Sequence, residues 1–331
     1  MRKRYWPNLP TRKIFEPLIV FVLLAVPTTG FASLQQPFHK PTSFRPETTA
    51  GLQAFFEALD YQWDGIENGV PPFILEHIPA DINHTTSVKK KKQTFFMGLL
   101  PMVLLANREI RQERQDLLDI FERNRKRELL QGDRERLEEI MKRYGLRGRP
   151  LMDHRVREQL LERVDIIPPA LALAQAANES AWGTSRFARM GNNLFGEWTF
   201  KPGTGIVPAG RPEGMTYEVK KFSSLYASIR SYLNNLNRHN AYRKLRSIRL
   251  KLRKAGKKLT GVELSRGLSS YSERGEEYIQ EIQAMIRHNK LSRFNSTFLR
   301  QPETDILTTL ATDGGGLFSS RNKIIGHRAP R

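Results

Sequence analysis

The sequence predicts a mainly α-helical protein of the α+β class, in which one small β-hairpin lobe accompanies the helices. Apolar residues recur at three- and four-residue spacing in long segments such as 103–121 and 225–236, as expected for helices with one buried face. The alternation that is typical of strands occurs only near 198–200 and 217–222. These two segments flank a loop rich in glycine and proline, which predicts a single hairpin.

Residues 1–32 have the pattern of a secretory signal peptide. Five basic residues precede position 14, an apolar run spans about 17–26, and Gly30 and Ala32 are small residues at the spacing that a signal peptidase recognises. The apolar run is shorter than the ~20 residues of a membrane-spanning helix. We therefore expect export to the periplasm or cell envelope, with an uncleaved N-terminal anchor as the alternative.

Residues 33–92 are predicted to form a linker and then a small packed segment. Prolines punctuate the polar stretch 34–49, which is typical of linkers. Short apolar periodicity in 52–59 and 72–78 predicts packing beyond it. The four lysines at 89–92 are expected in a solvent-exposed turn, with contact to an anionic surface as the alternative.

Residues 93–148 are predicted to form a helical extension. The segment 95–106 is strongly apolar but too short to span a membrane. Pro101 is expected to break or restart a helix there, because proline lacks the backbone N–H. An amphipathic helix then runs to about Leu130, and a short one ends at Gly145. The apolar stripe of the longer helix is expected to pack on the main domain, with a membrane or partner contact as the alternative.

The main domain is predicted to span 149–291, and a flexible basic tail is predicted at 292–331. Gly148 and Pro150 mark the beginning of the domain. Beyond Arg293 the periodicity disappears and three successive glycines follow at 314–316, as in flexible segments.

The composition favours an anionic partner. The chain has 331 residues, a formal net charge of +20 and a pI near 10.3, which suits nucleic acid, an anionic membrane surface or the acidic polymers of a cell wall. Nucleic acid is not expected, because no zinc-finger spacing or aromatic RNA-binding motif is present. The absence of cysteine excludes disulfides and thiolate zinc sites. No metal-ligand cluster is visible, so we expect no metal and no cofactor.

The stretch 166–200 contains the candidate chemistry. Pro168 and Pro169 begin a helix of good helix formers, and Gly183 is expected to end it. Glu179 therefore lies in the last turn, where the helix dipole and apolar surroundings raise the pKa of a carboxyl. A carboxyl that stays protonated near neutral pH suits a general acid. Ala172 and Ala176 share its face, which predicts a low surface open to a bulky ligand.

Two motifs here resemble a known family. Residues 176–185, A-A-N-E-S-A-W-G-T-S, and residues 191–196, G-N-N-L-F-G, resemble the signatures of the bacterial glucosaminidase-domain family, of the glycoside hydrolase family 73 type. Segments 160–168, 222–245 and 267–278 resemble its branch of bacterial Bax proteins. The resemblance covers roughly 160–289. It implies a lysozyme-like helical catalytic domain over 149–291 that hydrolyses peptidoglycan glycan strands at N-acetylglucosaminyl linkages.

The resemblance also implies catalytic roles. Glu179 would protonate the glycosidic oxygen, and a second carboxylate would lie in the β-lobe. Glu213 is the nearest match, ahead of Glu197 and Glu218. Glu218 alternates with apolar neighbours and is expected in solvent. The acetamido group of the substrate is the alternative to a second carboxylate.

The substrate contacts are predicted from side-chain chemistry and the family. Trp182, Phe195 and Tyr271 would offer flat apolar walls to sugar faces, whereas Tyr278 is expected to pack. Asn192 and Asn193 carry amides that suit hydroxyl and acetamido groups.

The function that follows is an exported endo-type N-acetylglucosaminidase. A lytic transglycosylase is the alternative within the same fold, because it too works with one glutamate. A further alternative is a non-catalytic wall-binding or scaffold protein that has kept the fold without the activity. A basic nucleic-acid-binding protein would have to reside in the cytoplasm, and the predicted signal peptide argues against that. Amidase activity is disfavoured by the lack of a thiolate or zinc cluster.

Overall fold

A computed structural model describes residues 41–126 and 128–301 of the chain. Within them the α-helices are α1 (Thr49–Ala58), α2 (Val88–Lys126), α3 (Gln131–Tyr144), α4 (His154–Arg163), α5 (Pro169–Glu179), α6 (Arg186–Gly191), α7 (Leu225–Arg238), α8 (Arg243–Lys254), α9 (Gly261–Ser265) and α10 (Glu276–His288). Short 3₁₀ helices occupy Trp63–Asn68, Ala80–His84, Asn240–Tyr242 and Leu291–Ser296. The strands are β1 (Thr42–Phe44), β2 (Phe73–Leu75), β3 (Trp198–Thr199), β4 (Gly205–Ile206) and β5 (Glu218–Lys220).

Helix α5 lies at the centre of the fold. It packs against α2, α9, α10 and the 3₁₀ helix Leu291–Ser296. Every residue from Pro169 to Ala177 is buried, because its alanines and leucines let neighbouring helices approach on all sides. The predicted mainly α, lysozyme-like fold with a small β-lobe and an N-terminal helical extension is confirmed.

Helix α2 corrects two expectations. It is a single helix of 39 residues that continues through Pro101, where a break was predicted. The proline removes the donor that the Met97 carbonyl would normally meet. The Tyr61 hydroxyl donates to that carbonyl instead, at 3.3 Å, so the acceptor stays satisfied. The four lysines at 89–92 lie in the first turns of α2 and not in a turn between elements, although Lys89 and Lys90 are solvent-exposed as expected.

The apolar part of α2 packs inward. All residues from Thr94 to Asn107 are buried, against β2, α5 and α7 among others. This burial agrees with the predicted packing of the helical extension on the main domain. Among the described residues, no helix combines the length and the apolar composition needed to cross a membrane.

Both ends of the described chain are more ordered than expected. Thr42–Phe44, assigned to a linker, pairs in parallel with Phe73–Leu75, and Phe44 stacks on Phe55 at 3.8 Å between ring centroids. Residues 292–301, assigned to a flexible tail, bury Phe294 and bridge Leu299 to Val70. Aromatic and apolar side chains fix both segments. The predicted signal peptide and residues 302–331 of the tail lie outside the described residues, and the predicted domain boundaries stay predictions.

The segment that leads into α5 is held by polar side chains. Asn107 of α2 donates to the Ile167 carbonyl at 2.8 Å and accepts from its N–H at 3.1 Å. Arg249 of the basic helix α8 is fully buried and donates to the carbonyls of Asp165 and Glu162, each at 2.8 Å. Some of the positive charge of α8 therefore serves the interior, where a buried guanidinium needs many acceptors.

The β-lobe is a three-stranded antiparallel sheet in the order β3-β5-β4, with Trp198 opposite Val219 and Val219 opposite Ile206. Glu218 of β5 is buried, which makes the expectation of a solvated side chain wrong. The 201–204 turn covers its carboxylate, which accepts hydrogen bonds from the N–H groups of Gly203 at 2.9 Å and Gly205 at 2.7 Å. These backbone donors lower the pKa of Glu218, so it acts as a structural anchor of the sheet.

Candidate active site

The end of α5 is built by a left-handed turn. The helix ends at Glu179, earlier than the predicted end near Gly183. Ala181, Trp182 and Gly183 all have positive φ, at 49°, 61° and 78°. Ser180 holds the turn, because its hydroxyl donates to the Ala176 carbonyl at 2.6 Å and accepts from the Gly183 N–H at 2.8 Å. Ala181 and Trp182 are non-glycine residues with left-handed backbone angles, and such strain is common at functional sites. Glu179 is thereby fixed at the helix terminus.

Trp182 anchors that turn to α2. Its ring lies 5.8 Å from Phe95 and 5.2 Å from Phe96 between centroids, and the Lys92 ammonium lies 4.8 Å above it. The side chain is half-buried by these contacts. Trp182 thus positions the turn that follows Glu179, and its predicted role as a sugar wall stays a prediction.

Glu179 has the electrostatic surroundings of a general acid. Burial raises the pKa of its carboxyl, while a hydrogen bond from the Tyr278 hydroxyl to Oε1 at 2.7 Å opposes part of that shift. The predicted direction of the pKa shift is confirmed, with burial as the main cause. The predicted open alanine surface is wrong. Ala172 and Ala176 are fully packed in the core, so a ligand must approach Glu179 from another side.

A relay of buried hydrogen bonds supports Glu179. The Tyr232 hydroxyl donates to Gln175 Oε1 at 2.6 Å, and Gln175 Nε2 donates to the Tyr278 hydroxyl at 2.9 Å. The Tyr278 hydroxyl is therefore oriented to donate to Glu179. Sequence reasoning missed these roles and assigned Tyr278 to packing. The available signal was Gln175, the one polar residue within the apolar stretch 166–177.

Replacing Tyr278 with phenylalanine is expected to shift the pH profile of a reaction in which Glu179 acts as the general acid. The variant loses the hydrogen bond that stabilises ionised Glu179, so the pKa of Glu179 rises. A general acid acts in its protonated form, and the alkaline limb of kcat/KM should therefore move to higher pH. The buried Gln175 N–H also loses its acceptor, which should cost ~1–3 kcal/mol of unfolding free energy.

Tyr226→Phe is the matched control for this change. Its hydroxyl donates to Glu109 Oε1 at 2.8 Å, so the substitution also removes a Tyr–Glu hydrogen bond, but away from Glu179. We expect the control to leave the alkaline limb in place. An unchanged limb in Tyr278→Phe would show that Glu179 is not the group that titrates there.

Asn193 holds the loop that presents Glu197. Its Nδ2 donates to the carbonyls of Glu197 at 2.8 Å and Lys220 at 2.9 Å, and its Oδ1 accepts from the Glu197 N–H at 3.1 Å. Both amide hydrogens are used and the side chain is buried. The geometry thus gives Asn193 a structural task in place of the expected substrate contact. Asn192 is half-buried at the end of α6 and donates to the Phe222 carbonyl at 3.3 Å; its substrate role stays a prediction.

Glu197 is the carboxylate of the β-lobe that the structure places in a cleft. Its side chain is 16% exposed, accepts a hydrogen bond from Ser231 at 2.7 Å and lies 3.9 Å from the Lys220 ammonium. Burial raises the pKa of Glu197, while Ser231 and Lys220 oppose that rise. Its Oε1 is buried without a hydrogen-bond partner among the described residues. That atom is suited to accept a hydrogen bond from a ligand.

Glu213, ranked first from sequence, lies in an exposed part of the β-lobe loop. It does not line the cleft around Glu197, so the geometry favours Glu197 as the second carboxylate. Gly196 next to Glu197 has a positive φ of 69°, which shows that the G-N-N-L-F-G motif shapes the backbone at this carboxylate.

The cleft has a volume of about 920 Å³ and carries aromatic side chains. Phe195 and Tyr271, predicted as sugar walls, are both among the residues that line it, and Tyr271 donates to the Phe195 carbonyl at 3.3 Å. The Phe195 side chain is 4% exposed and stacks on Tyr232 at 3.8 Å between ring centroids, so the structure gives it a packing role in place of an open sugar wall. Trp198 and Phe200 also line it and are 52% and 77% exposed, which suits stacking on sugars. Sequence reasoning had assigned these two only to a strand.

Glu179 is not among the residues that line this cleft, but Tyr278 links it to the cleft, because Tyr278 donates to Glu179 and stacks on Tyr271 at 5.4 Å between ring centroids. Tyr232, Tyr242 and Tyr271 line the cleft, and after burial the charge of Glu179 contributes to raising the pKa of each. The charge of Glu197 also contributes to raising the pKa of Tyr242. Both carboxylates therefore lie near the same group of tyrosines, although of the two only Glu197 lines the cleft.

The fold and this site define a glycosidase-like domain, and comparison with known proteins gives its family. Residues 156–291 match the glucosaminidase family, described as mannosyl-glycoprotein endo-beta-N-acetylglucosaminidase. The chain is 34% identical over 210 residues to Protein bax of Escherichia coli (strain K12), which covers 63% of this chain and 74% of that relative. The chain therefore belongs to the bacterial Bax branch of the glucosaminidase-domain family. This membership implies a glycoside hydrolase with a glycan substrate. No solved structure matches it.

Proposed function

We propose that the protein is an exported peptidoglycan hydrolase of the endo-N-acetylglucosaminidase type. The observation that carries the proposal is Glu179, half-buried at the end of α5 with a raised pKa and an oriented hydrogen bond from Tyr278. A second carboxylate, Glu197, lines an aromatic cleft that is linked to Glu179 through the stacked rings of Tyr271 and Tyr278. The family supports a glycan substrate, and the net charge of +20 suits an anionic wall polymer.

The two carboxylates, Glu179 and Glu197, would have different roles in the reaction. Burial raises the pKa of Glu179 and so favours its protonated form, from which it would donate a proton to the glycosidic oxygen as the bond breaks. Burial raises the pKa of Glu197 as well, but Ser231 and the Lys220 cation oppose that rise, which supports the ionised form that would stabilise positive charge on the sugar or activate water. Trp198 and Phe200 would hold the sugar chain across the cleft.

Mass spectrometry of the products tests the proposal. Purified peptidoglycan incubated with the protein should release muropeptides with N-acetylglucosamine at the reducing end, because hydrolysis at that linkage leaves a free reducing sugar. Products that end in 1,6-anhydromuramic acid would identify a lytic transglycosylase. Binding to sacculi without release of muropeptides would indicate a wall-binding protein.

Export is tested by a fusion of residues 1–49 to a reporter that is active only outside the cytoplasm. We expect an active fusion, because the basic, apolar and small-residue regions of 1–32 follow the secretory pattern. N-terminal sequencing of the mature protein should begin near Ser33. A mature protein that begins at Met1 would support the uncleaved anchor, and an inactive fusion would contradict export.

A further inference from the structure

One end of the cleft is basic. Arg163 of α4, Arg238 of α7 and His239 line the same cleft as Glu197 and Trp198. The cleft thus joins aromatic side chains suited to neutral sugars with guanidinium groups suited to anions. Nothing in the catalytic roles of Glu179 and Glu197 requires these arginines.

The two guanidinium groups converge on the turn that ends α3. Arg163 Nη1 donates to the carbonyls of Tyr144 at 2.7 Å and Gly145 at 3.3 Å. Arg238 packs against the same turn at Gly145. A Cβ added to Gly145 would be 2.5 Å from Arg238 Nε. Gly145 has a φ of +63°, so a side chain is disfavoured there on both counts. The glycine lets Arg238 lie close to Arg163 at the cleft.

These arginines have no acidic partner within residues 41–126 and 128–301. None of the ion pairs there includes Arg163, Arg238 or the adjacent Arg243. Glu162 lies beside Arg163 and Glu138 lines the same depression as Arg238, but neither forms an ion pair with them. After burial, the charges of Arg238 and Arg243 contribute to lowering the pKa of Arg163. Such mutual repulsion is relieved when an anion binds.

We propose that the arginine end of the cleft binds a carboxylate carried beside the sugar chain of the substrate. This rests on the proposed function. A peptidoglycan strand carries lactyl groups extended by peptides, so carboxylates lie next to its sugars. Guanidinium groups match a carboxylate with paired N–H donors. With the sugar chain on Trp198 and Phe200, an anionic substituent would reach Arg238 and Arg163 along the same cleft.

Binding tests this independently of catalysis. The Glu179→Gln protein, with and without Arg238→Gln, is titrated with three labelled ligands: peptide-bearing glycan strands, strands freed of peptide by an amidase, and neutral chitin oligosaccharides. The side chain of Arg238 forms no hydrogen bond within residues 41–126 and 128–301, so its replacement should leave the fold intact. We expect Arg238→Gln to raise the Kd for peptide-bearing strands about tenfold, as for a charge-assisted contact, and to leave the Kd for chitin oligosaccharides within about twofold.

Arg155→Gln is the charge-matched control, because Arg155 is exposed on the same helix as Arg163 and lies outside the cleft. Arg163→Gln should repeat the effect of Arg238→Gln. A loss restricted to peptide-bearing strands identifies a peptide carboxylate. A loss restricted to peptide-free strands identifies the lactyl carboxylate, which the amidase frees from its amide bond. A loss on both kinds of strand shows that the arginines accept either carboxylate, and all three outcomes support the proposal. Equal loss on the neutral ligand, equal loss in Arg155→Gln, or no loss overturns it. Selective anion binding without any cleavage by the wild type would contradict the proposed function alone.

Discussion

Glu179→Gln is expected to fold normally and to lose nearly all hydrolytic activity. Glutamine keeps the shape of the side chain and still accepts the hydrogen bond from Tyr278, but it has no proton to transfer. General acid catalysis contributes ~10²–10⁴-fold, so kcat should fall by about that factor. The release of soluble muropeptides from purified peptidoglycan measures the loss.

Glu273→Gln is the matched control for this variant. Glu273 is an exposed glutamate in the loop before α10, so the substitution removes the same charge away from the site. Circular dichroism and a thermal melt should be alike for the wild type and both variants. Retention of more than about a tenth of wild-type kcat in Glu179→Gln would remove Glu179 from the role of general acid.

Glu197→Gln is expected to reduce activity far more than Glu213→Gln. Glu197 is mostly buried in the cleft beside Lys220 and retains an unpaired Oε1, whereas Glu213 is exposed outside the cleft. If Glu197 is the base or the electrostatic stabiliser, kcat should fall by ~10²-fold or more, and Glu213→Gln should stay near the wild type. The same muropeptide assay measures both variants.

Glu218→Gln separates a structural effect from a catalytic one. Its carboxylate is bonded to the N–H groups of Gly203 and Gly205, so this variant should lower thermal stability before it lowers kcat. The opposite ranking, with Glu213→Gln inactive and Glu197→Gln active, would restore the order expected from sequence. Full activity in all three variants would leave the acetamido group of the substrate as the second catalytic group.

The proposed catalytic glutamate could be found in the sequence because its signals are local. An alanine-rich helix opened by Pro168 and Pro169 places Glu179 near a helix end, and the burial that raises its pKa follows from those apolar neighbours. The amphipathic spacing of 225–236 and 276–289 likewise predicted α7 and α10, because helical periodicity depends on residues only a few positions apart.

The second carboxylate could not be ranked in this way. Glu197, Glu213 and Glu218 all lie near the β-lobe in sequence, and the family resemblance ranks Glu213 first. Their environments depend on where the 201–204 turn and Ser231 of α7 lie in space. Burial and partner charge are properties of tertiary packing, so three similar glutamates become an exposed one, a buried anchor and a cleft carboxylate.

The sequence by itself therefore determined the mainly α fold, the position of Glu179 and the family motifs, since each rests on short-range spacing or residue type. Only the tertiary structure decided that α2 passes through Pro101, because Tyr61, 36 residues away, supplies the donor to Met97. Only it brought Tyr278 to Glu179, 99 residues apart, and Arg163 and Arg238 to one cleft. Contacts between residues far apart in sequence leave no periodic trace, and the chemistry of the site is built from them.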